Sequence, residues 1–293
     1  MRDFPSCFGE NGVQVADASC SSAVVTKKAC PNSITCVYKC KLLRKSCLIT
    51  LSWSKNLIGQ CLSVEIDDSS HHCICKIDVK PSLFSKRKGS KFSQVDSTEI
   101  EVFWDLSSAK FGSRSEPLEG YYIAIVSSGE MLLLVGDLKK EALKKTGAIA
   151  SPLNAVLISK REHISAKRVY QTKTRFFENG PTHDLKIEYD PHSSGDPGLV
   201  VRIDMKTVMQ IKHLQWNFRG NYSILIDGLA VEVYWDVHNW LFGPGLGNAV
   251  FMFQTSLSVC DSPVLSWRCS ESLREANAQG LGFSFFLYAW RNE

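Results

Sequence analysis

The chain has 293 residues, 44% of them hydrophobic, and its 34 basic and 30 acidic side chains give a formal net charge of +4. This length suits one large or two ordinary domains, and the apolar fraction is high enough to build their cores. A charge so balanced argues against nucleic-acid binding by the whole surface. The sequence has no run of about 18 apolar residues, so it predicts no membrane-spanning helix.

The cysteines and the first residues indicate a reduced, intracellular setting. Nine of the 11 cysteines precede residue 76, whereas a secreted disulfide framework favours an even number together with a signal peptide. Residues 1–7 have neither the apolar core of such a signal nor a glycine at position 2 for myristoylation. We therefore expect a cytoplasmic or nuclear protein.

The first part of the chain predicts an arm followed by antiparallel strands. Residues 1–33 are rich in Ser, Ala and Cys without a sustained period, so we expect a poorly ordered N-terminal arm. Four runs follow at about ten-residue spacing, divided by polar turns; they are 34–40, 47–53, 60–67 and 73–79. Such a series is typical of an antiparallel sandwich or barrel.

One motif occurs twice. Residues 100–112 return as residues 231–243 at a constant offset of 131, and the shared positions include Trp104 with Trp235. Two upstream runs also match, at offsets of 126 and 123, so the insertions fall between strands, where loops tolerate them. This pattern indicates a tandem duplication and predicts equivalent strands for the two tryptophans.

Between the two copies the sequence predicts a hairpin and a helix. Residues 120–126 and 131–135 flank a Ser-Ser-Gly-Glu turn. The helix covers 137–147, where Asp137 can cap its beginning and Gly147 can end it.

The predicted fold is therefore all-β: two tandem related antiparallel β-sandwich or barrel domains with one short helix between them. Its parts are the arm at 1–33, a first β-domain at 34–150, a linker at 151–164 and a duplicate second β-domain at 165–293.

Several longer motifs are spread over nearly the whole chain. They are MRDFPSC at 1–7, WSKNL at 53–57, KGSK at 88–91, GYY at 120–122, GDLKKE at 136–141, LQWNFRG at 214–220 and YWDVHNWLFG at 234–243. By these motifs the chain resembles the plant family catalogued as domain of unknown function 868. The resemblance implies a plant source, and it brings no established activity and no functional residues.

No metal ion or other cofactor is predicted. The His/Cys run at 71–75 lacks the Cys-x2-Cys spacing of a zinc knuckle, and Cys73 and Cys75 would share one strand face as structural cysteines. A strand ending in Trp-Asp is loosely similar to calcium-binding C2 domains, but calcium takes about six to eight oxygen ligands and no Asp-x-Asp pair follows either copy. We expect Asp105 and Asp236 to accept hydrogen bonds from the following turn instead.

Catalytic motifs are absent from the sequence, so no catalytic residue is predicted. Neither a Gly-x-Ser-x-Gly elbow, nor a phosphate-binding Gly-x4-Gly-Lys loop, nor a His-Glu-x2-His pair occurs. We favour a non-enzymatic protein-interaction module. The alternative is a hydrolase whose carboxylates assemble only in three dimensions.

Two features are candidates for a binding surface. Trp240, whose counterpart in the first copy is Ala109, is predicted to be an exposed aromatic residue on a loop. A basic loop is predicted at Lys86, Arg87, Lys88 and Lys91, in an interval without acids between Asp78 and Asp96. It is either a solvated face or a docking site for an acidic protein or an anionic lipid surface, the latter C2-like but calcium-independent.

Overall fold

Alternation of apolar and polar residues produces strands over most of the chain. The computed structural model describes residues 32–42, 45–70, 72–80, 87–95, 98–149, 155–177, 180–191, 195–243, 247–255 and 282–292. In β2, for example, every second residue from Cys47 to Trp53 is buried, and the residues between them are half-buried. The predicted arm lies outside the described residues up to residue 31.

The described residues of the first half form ten strands and one helix. They are β1 (Ser33–Leu42), β2 (Lys45–Lys55), β3 (Gln60–Asp68), β4 (Cys73–Val79), β5 (Lys88–Val95), β6 (Thr98–Asp105), β7 (Lys110–Phe111), β8 (Pro117–Glu119), β9 (Tyr122–Ser127), β10 (Glu130–Gly136) and α1 (Lys139–Thr146).

The second half contains nine strands and a short helix among its described residues. They are β11 (Val156–Ala166), β12 (Val169–Thr174), β13 (His183–Asp190), β14 (Gly198–Ile203), β15 (Lys206–Ile211), β16 (Arg219–Ile226), β17 (Leu229–Asp236), α2 (His238–Phe242), β18 (Asn248–Thr255) and β19 (Ser284–Arg291). No helix in the described ranges is long and apolar enough to cross a membrane.

One long sheet joins two sandwiches. It has nine strands in the order β16-β17-β18-β19-β11-β1-β2-β3-β4. A four-stranded sheet, β10-β9-β6-β5, packs on the β1–β4 end and encloses the first core, and a second, β12-β13-β14-β15, packs on the β16–β19 end and encloses the other. The all-β fold with two related antiparallel sandwiches is thus confirmed, whereas the domain boundaries at 34–150 and 165–293 stay a prediction.

The two sandwiches repeat the same contacts. Trp104 and Trp235 lie on β6 and β17, each next to the outermost strand of its sheet. Two hydrogen bonds also recur at the offset of 131: the Leu106 N–H donates to the Arg87 carbonyl at 2.7 Å, and the Val237 N–H donates to the Phe218 carbonyl at 2.9 Å. The prediction of equivalent strands for the two tryptophans is confirmed.

Most of the segment predicted as a linker forms a strand. Residues 156–164 belong to β11, which pairs with β1 antiparallel and with β19 parallel, in the middle of the nine-stranded sheet. The strand was not predicted because β11 has charged residues where apolar ones are expected. Lys160 and Glu162 point inward, and they pair with Glu116 and Arg114, respectively. Burial of a charged side chain is tolerated only with such partners.

The local predictions around α1 are confirmed in part. β9 and β10 form the predicted hairpin. Gly147 ends α1 with φ 63° and donates its N–H to the Leu143 carbonyl at 3.0 Å. The predicted cap is wrong, because the Asp137 carboxylate accepts hydrogen bonds from Gly120 and Tyr121, before β9, rather than from the helix.

Candidate functional site

A groove lies at the open side of the second sandwich, between the edge strands β15 and β16. β15 is the last strand of the four-stranded sheet, and β16 is the outermost strand of the nine-stranded sheet. The groove, which we call the edge groove, has a volume of about 610 Å³. It is lined by Thr207, Val208, Met209, Gln210, Ile211, Lys212, His213, Asn217, Tyr222 and Trp235.

The β15 side of the edge groove is mainly apolar. Met209 and Ile211 are buried toward the core, and Gln210 between them is exposed, as alternation along a strand requires. A register shift between Val201 and Arg202 of β14 leaves Val208 as an extra residue of β15. This bulge interrupts the edge of β15 as a template for a further strand.

The β16 side has an uninterrupted edge. All eight residues of β16 pair with β17 without a register shift, and its other side has no strand partner among the described residues. Tyr222 is 55% exposed on this strand. Its counterpart at the offset of 131 is Lys91 of β5, whose ammonium group donates to the Lys76 carbonyl of β4 at 2.6 Å. A lysine therefore bridges the two sheet edges in the first sandwich, whereas a tyrosine borders a groove in the second.

The turn between β15 and β16 presents an exposed tryptophan. Trp216 is 82% exposed. The backbone N–H of Trp216 donates to the His213 carbonyl at 2.9 Å, and the Asn217 side chain donates to the Lys212 carbonyl at 2.9 Å. The indole N–H of Trp235 donates to the Asn217 carbonyl at 2.9 Å, which ties the turn to the wall of the groove. These hydrogen bonds hold the backbone of the turn at both ends.

The edge groove combines apolar surface with a few hydrogen-bonding groups. Aromatic rings and aliphatic side chains provide apolar surface, and Asn217, Gln210 and Thr207 provide a few hydrogen-bonding groups, as in ligand sites generally. The described lining contains no carboxylate and no cysteine. His213 is turned to Asp196, with 2.7 Å between Nδ1 and Oδ2.

The predicted basic loop is largely the beginning of β5. Lys88 and Lys91, three residues apart on a strand, lie on opposite faces of the sheet. Lys88 pairs with Asp105 at 2.7 Å, and Arg219 pairs with Asp236 at 2.8 Å in the second copy. Arg87 is exposed, and Lys86 lies outside the described residues. The described basic residues Arg87, Lys88 and Lys91 are therefore not gathered on one loop, and the docking role of the predicted set stays a prediction.

Asp105 and Asp236 act in the turns as expected. The Asp105 carboxylate accepts the Ser107 N–H at 3.0 Å, and the Asp236 carboxylate accepts the His238 N–H at 3.0 Å. Burial acts to raise the pKa of Asp105, but its hydrogen bonds with Lys88 and Ser107 outweigh burial and lower the pKa.

The prediction of an exposed Trp240 is wrong. Its side chain is only 5% exposed, stacks on Tyr170 with 5.1 Å between ring centroids, and donates its indole N–H to the Ala289 carbonyl at 2.8 Å. The reason is that residues 238–242 form α2, which turns Trp240 onto the second core. Sequence reasoning missed Trp216, whose only signal was its place between Gln215 and Asn217 in a stretch without alternation.

Two acids and one cysteine on β3 and β4 form a small cluster. Potential ligand atoms of Glu65, Asp67 and Cys73 lie within 4.8 Å of one another, but Glu65 already pairs with Lys76 at 3.3 Å. A register shift next to Cys75 places it on the buried face and Cys73 on the exposed face, so the expectation that they share a face is wrong.

Comparison with known proteins identifies the family of the chain. The family model described as "Plant protein of unknown function (DUF868)" matches residues 29–291. No curated protein and no solved structure matches the chain.

Proposed function

The chain belongs to the DUF868 family of plant proteins of unknown function, and we propose that it is a non-enzymatic protein-interaction module that binds an extended peptide segment of a partner in the edge groove. One observation carries the proposal. An unbroken strand edge, β16, runs beside an open groove whose walls include Tyr222 and Trp235.

Strand addition explains the affinity of such a site. The unpaired side of β16 offers backbone N–H and C=O groups to an incoming strand, which supplies hydrogen bonds independent of the peptide's sequence. Every second side chain of the added strand then points into the groove, toward Met209 and Trp235. The other side chains point to solvent.

The groove also indicates which peptide fits. Its apolar walls suit aliphatic, proline or aromatic side chains at alternate positions, and Trp216 can close over one of them. Lys206 and Lys212, at the two ends of β15, are both exposed, and the described lining contains no acid. We therefore propose an extended segment with alternating apolar residues flanked by acidic ones.

The other functions considered from the sequence have less support. A hydrolase needs converging acids, and the described lining of the edge groove has none. Peripheral binding to anionic lipids needs a cluster of basic residues on one surface, whereas Lys88 and Lys91 lie on opposite faces of β5.

A cytoplasmic or nuclear setting is part of the proposal. What supports it is that the described cysteines are free thiols; Cys40 and Cys47 are register partners on neighbouring strands. Burial raises the pKa of the Cys40 thiol to about 12, so this thiol stays protonated and unreactive. A fluorescent fusion imaged in plant cells tests the location.

The peptide proposal is tested by screening the purified chain against displayed random peptides and measuring affinity by fluorescence anisotropy. We expect selected peptides to carry alternating apolar residues next to acids. Tyr222→Lys, which installs the residue that the first sandwich uses, should weaken binding at least about tenfold, or 1.4 kcal/mol.

The matched control is Val169→Lys, because Val169 is 44% exposed on β12, the edge of the four-stranded sheet that lies opposite β15. This variant should bind the peptides like the unmodified chain. Failure to select any peptide, or equal binding by both variants, would refute the proposal.

A further inference from the structure

The first sandwich covers the outer face of its smaller sheet with a helix. α1 lies on β9 and β10, and its Leu138, Ala142 and Leu143 pack against a cluster that includes Phe103 and Tyr122. Phe103 is 7% exposed and Tyr122 is 1% exposed. This face of β6, β9 and β10 is therefore a second buried surface, separate from the core of the sandwich.

The corresponding face in the second sandwich is open. By the duplication, β17, β18 and β19 are the counterparts of β6, β9 and β10, because both sets follow the same order from the edge strand inward. Tyr234 replaces Phe103 and is 38% exposed. Within the described ranges, no helix packs on this side of the three strands.

The open face is largely apolar, with Tyr234 exposed and its other members half-buried. We define it by Tyr234, Val250, Met252, Phe286, Tyr288 and Trp290, all on the side of the sheet away from the second core. Tyr234, Met252 and Phe286 are register partners on three successive strands, so they form one row. Contiguous apolar surface of this kind marks an interaction site.

One cation, Arg161, lies at the β11 border of the open face, and Glu232, two residues before Tyr234 on the same face, bonds to Ser223 at the other border. On β11, Arg161 continues the row as the register partner of Phe286, and its guanidinium lies 5.8 Å from the centre of the Phe286 ring. No carboxylate in the described part of the chain pairs with Arg161. Next to it, the His163 ring stacks on Tyr288 at 4.5 Å between centroids and accepts the Trp290 indole N–H at 3.1 Å.

We infer that the open face binds an amphipathic helix of a partner protein, in the place that α1 occupies in the first sandwich. Leucine and alanine side chains of that helix pack on the row of Tyr234, Met252 and Phe286, and a glutamate or aspartate pairs with Arg161. α1 shows that this sheet geometry accepts one helix, and Arg161, which has no carboxylate partner among the described residues, indicates the charge of the helix that binds here. This surface is distinct from the edge groove, so the inference does not depend on the function proposed above.

The test uses two designed helical peptides with the same leucine and alanine stripe, one with glutamates and one with lysines at the remaining positions. Binding to the full chain is measured by fluorescence anisotropy. We expect the acidic helix to bind at least about tenfold more tightly than the basic one. Arg161→Glu should reverse this preference, a result that general unfolding cannot produce.

Three variants separate the surface from its surroundings. Phe286→Asp and the more exposed Tyr234→Asp should each abolish binding while the circular dichroism spectrum is retained. Phe92→Asp is the control, because Phe92 is 53% exposed on β5, in the other sandwich, and should leave binding unchanged.

Other occupants of the open face are distinguished in the same experiments. If neither helix binds, or if Arg161→Glu leaves the preference unchanged, the inference is wrong. It is also wrong if light scattering shows a dimer that Phe286→Asp dissociates, because the occupant is then a second copy. Protection of Tyr234 from hydroxyl radicals in the isolated chain would indicate a segment of the same chain and would equally overturn it.

Discussion

Trp235 lies across Gly220, its register partner on the neighbouring strand, so closely that a Cβ added to Gly220 would be 2.4 Å from Trp235 Cζ2. Trp104 and Gly89 repeat the arrangement at 2.8 Å. Both indole rings thus occupy space that only glycine leaves free. The tryptophans hold their edge strands through ring-to-backbone contact.

Gly220→Ala should therefore destabilise the protein by about 1–3 kcal/mol, the usual cost of overpacking. Urea unfolding followed by circular dichroism measures the change. Ser223→Ala, on the same strand, should cost less than about 0.5 kcal/mol. Equal midpoints for the two variants would show that the ring moves aside without cost.

The ion pair between Arg114 and Glu162 predicts a large loss when one partner is removed. Glu162 is 3% exposed, and its two carboxylate oxygens accept from Arg114 Nε at 3.1 Å and Nη2 at 2.5 Å. Arg114→Met should cost about 3–5 kcal/mol, because it leaves a buried carboxylate without its cation. In a double-mutant cycle, Glu162→Gln added to Arg114→Met should recover part of that loss. Strict additivity would contradict the pairing.

Two tryptophans should respond in opposite ways. Trp240→Ala removes a buried ring and should cost about 3–5 kcal/mol of unfolding free energy. Trp216→Ala removes an exposed ring and should change stability by less than about 0.5 kcal/mol, yet weaken any peptide selected by the edge groove. Thermal unfolding and anisotropy together measure both effects. A destabilised Trp216→Ala would place that residue in the fold rather than at the surface.

Asp137 should contribute a pH-dependent part of stability. Backbone hydrogen bonds from Gly120 and Tyr121 lower the pKa of its carboxyl. The contribution is present above the unfolded pKa, near 3.8, and is lost as the pH falls through the lower folded value. Asp137→Asn should be less stable than the unmodified chain at pH 7, and the difference should vanish near pH 2. Urea midpoints of both chains across this range measure it, and a difference that persists at pH 2 would contradict the role of the carboxylate.

Docking through the basic residues predicts salt-sensitive binding to anionic liposomes. Changing Lys86, Arg87 and Lys91 to Gln should reduce it, because exposed charges act within about 8 Å in physiological salt. Lys88 is kept in this variant because it pairs with Asp105, and Lys88→Gln made separately should lower the stability only slightly, because the pair is exposed on the lysine side. If the unmodified chain ignores anionic liposomes at low salt, the membrane prediction is wrong.

The repeated elements of the fold could be predicted because their signals are local. Trp-Asp at 104–105 and at 235–236, the hairpin of β9 and β10, and the glycine that ends α1 are all readable within a few residues. β11 could not be predicted, because its inward Lys160 and Glu162 become acceptable only beside Glu116 and Arg114, which are remote in sequence.

The candidate site was predictable to a smaller extent. The edge groove exists because the facing edges of β15 and β16 have no strand partner among the described residues, a relation between two sheets that neither strand's alternation contains. The difference between Lys91 and Tyr222 was visible as a lack of charge in the second copy. Its consequence, a bridged gap in one sandwich and an open groove in the other, needed the positions of β4 and β15.

The position of β11 determines when the long sheet can be completed. Its partners are β1, which is synthesised about 115 residues before β11, and β19, which is synthesised about 115 residues after it. Ribosomes add about 5–20 residues per second, so β1 waits on the order of ten seconds for β11, and β11 waits about as long for β19. During both intervals a nascent chain carries an open strand edge, the feature that promotes wrong pairing between chains. Only the arrival of the last strand closes the sheet between the two sandwiches.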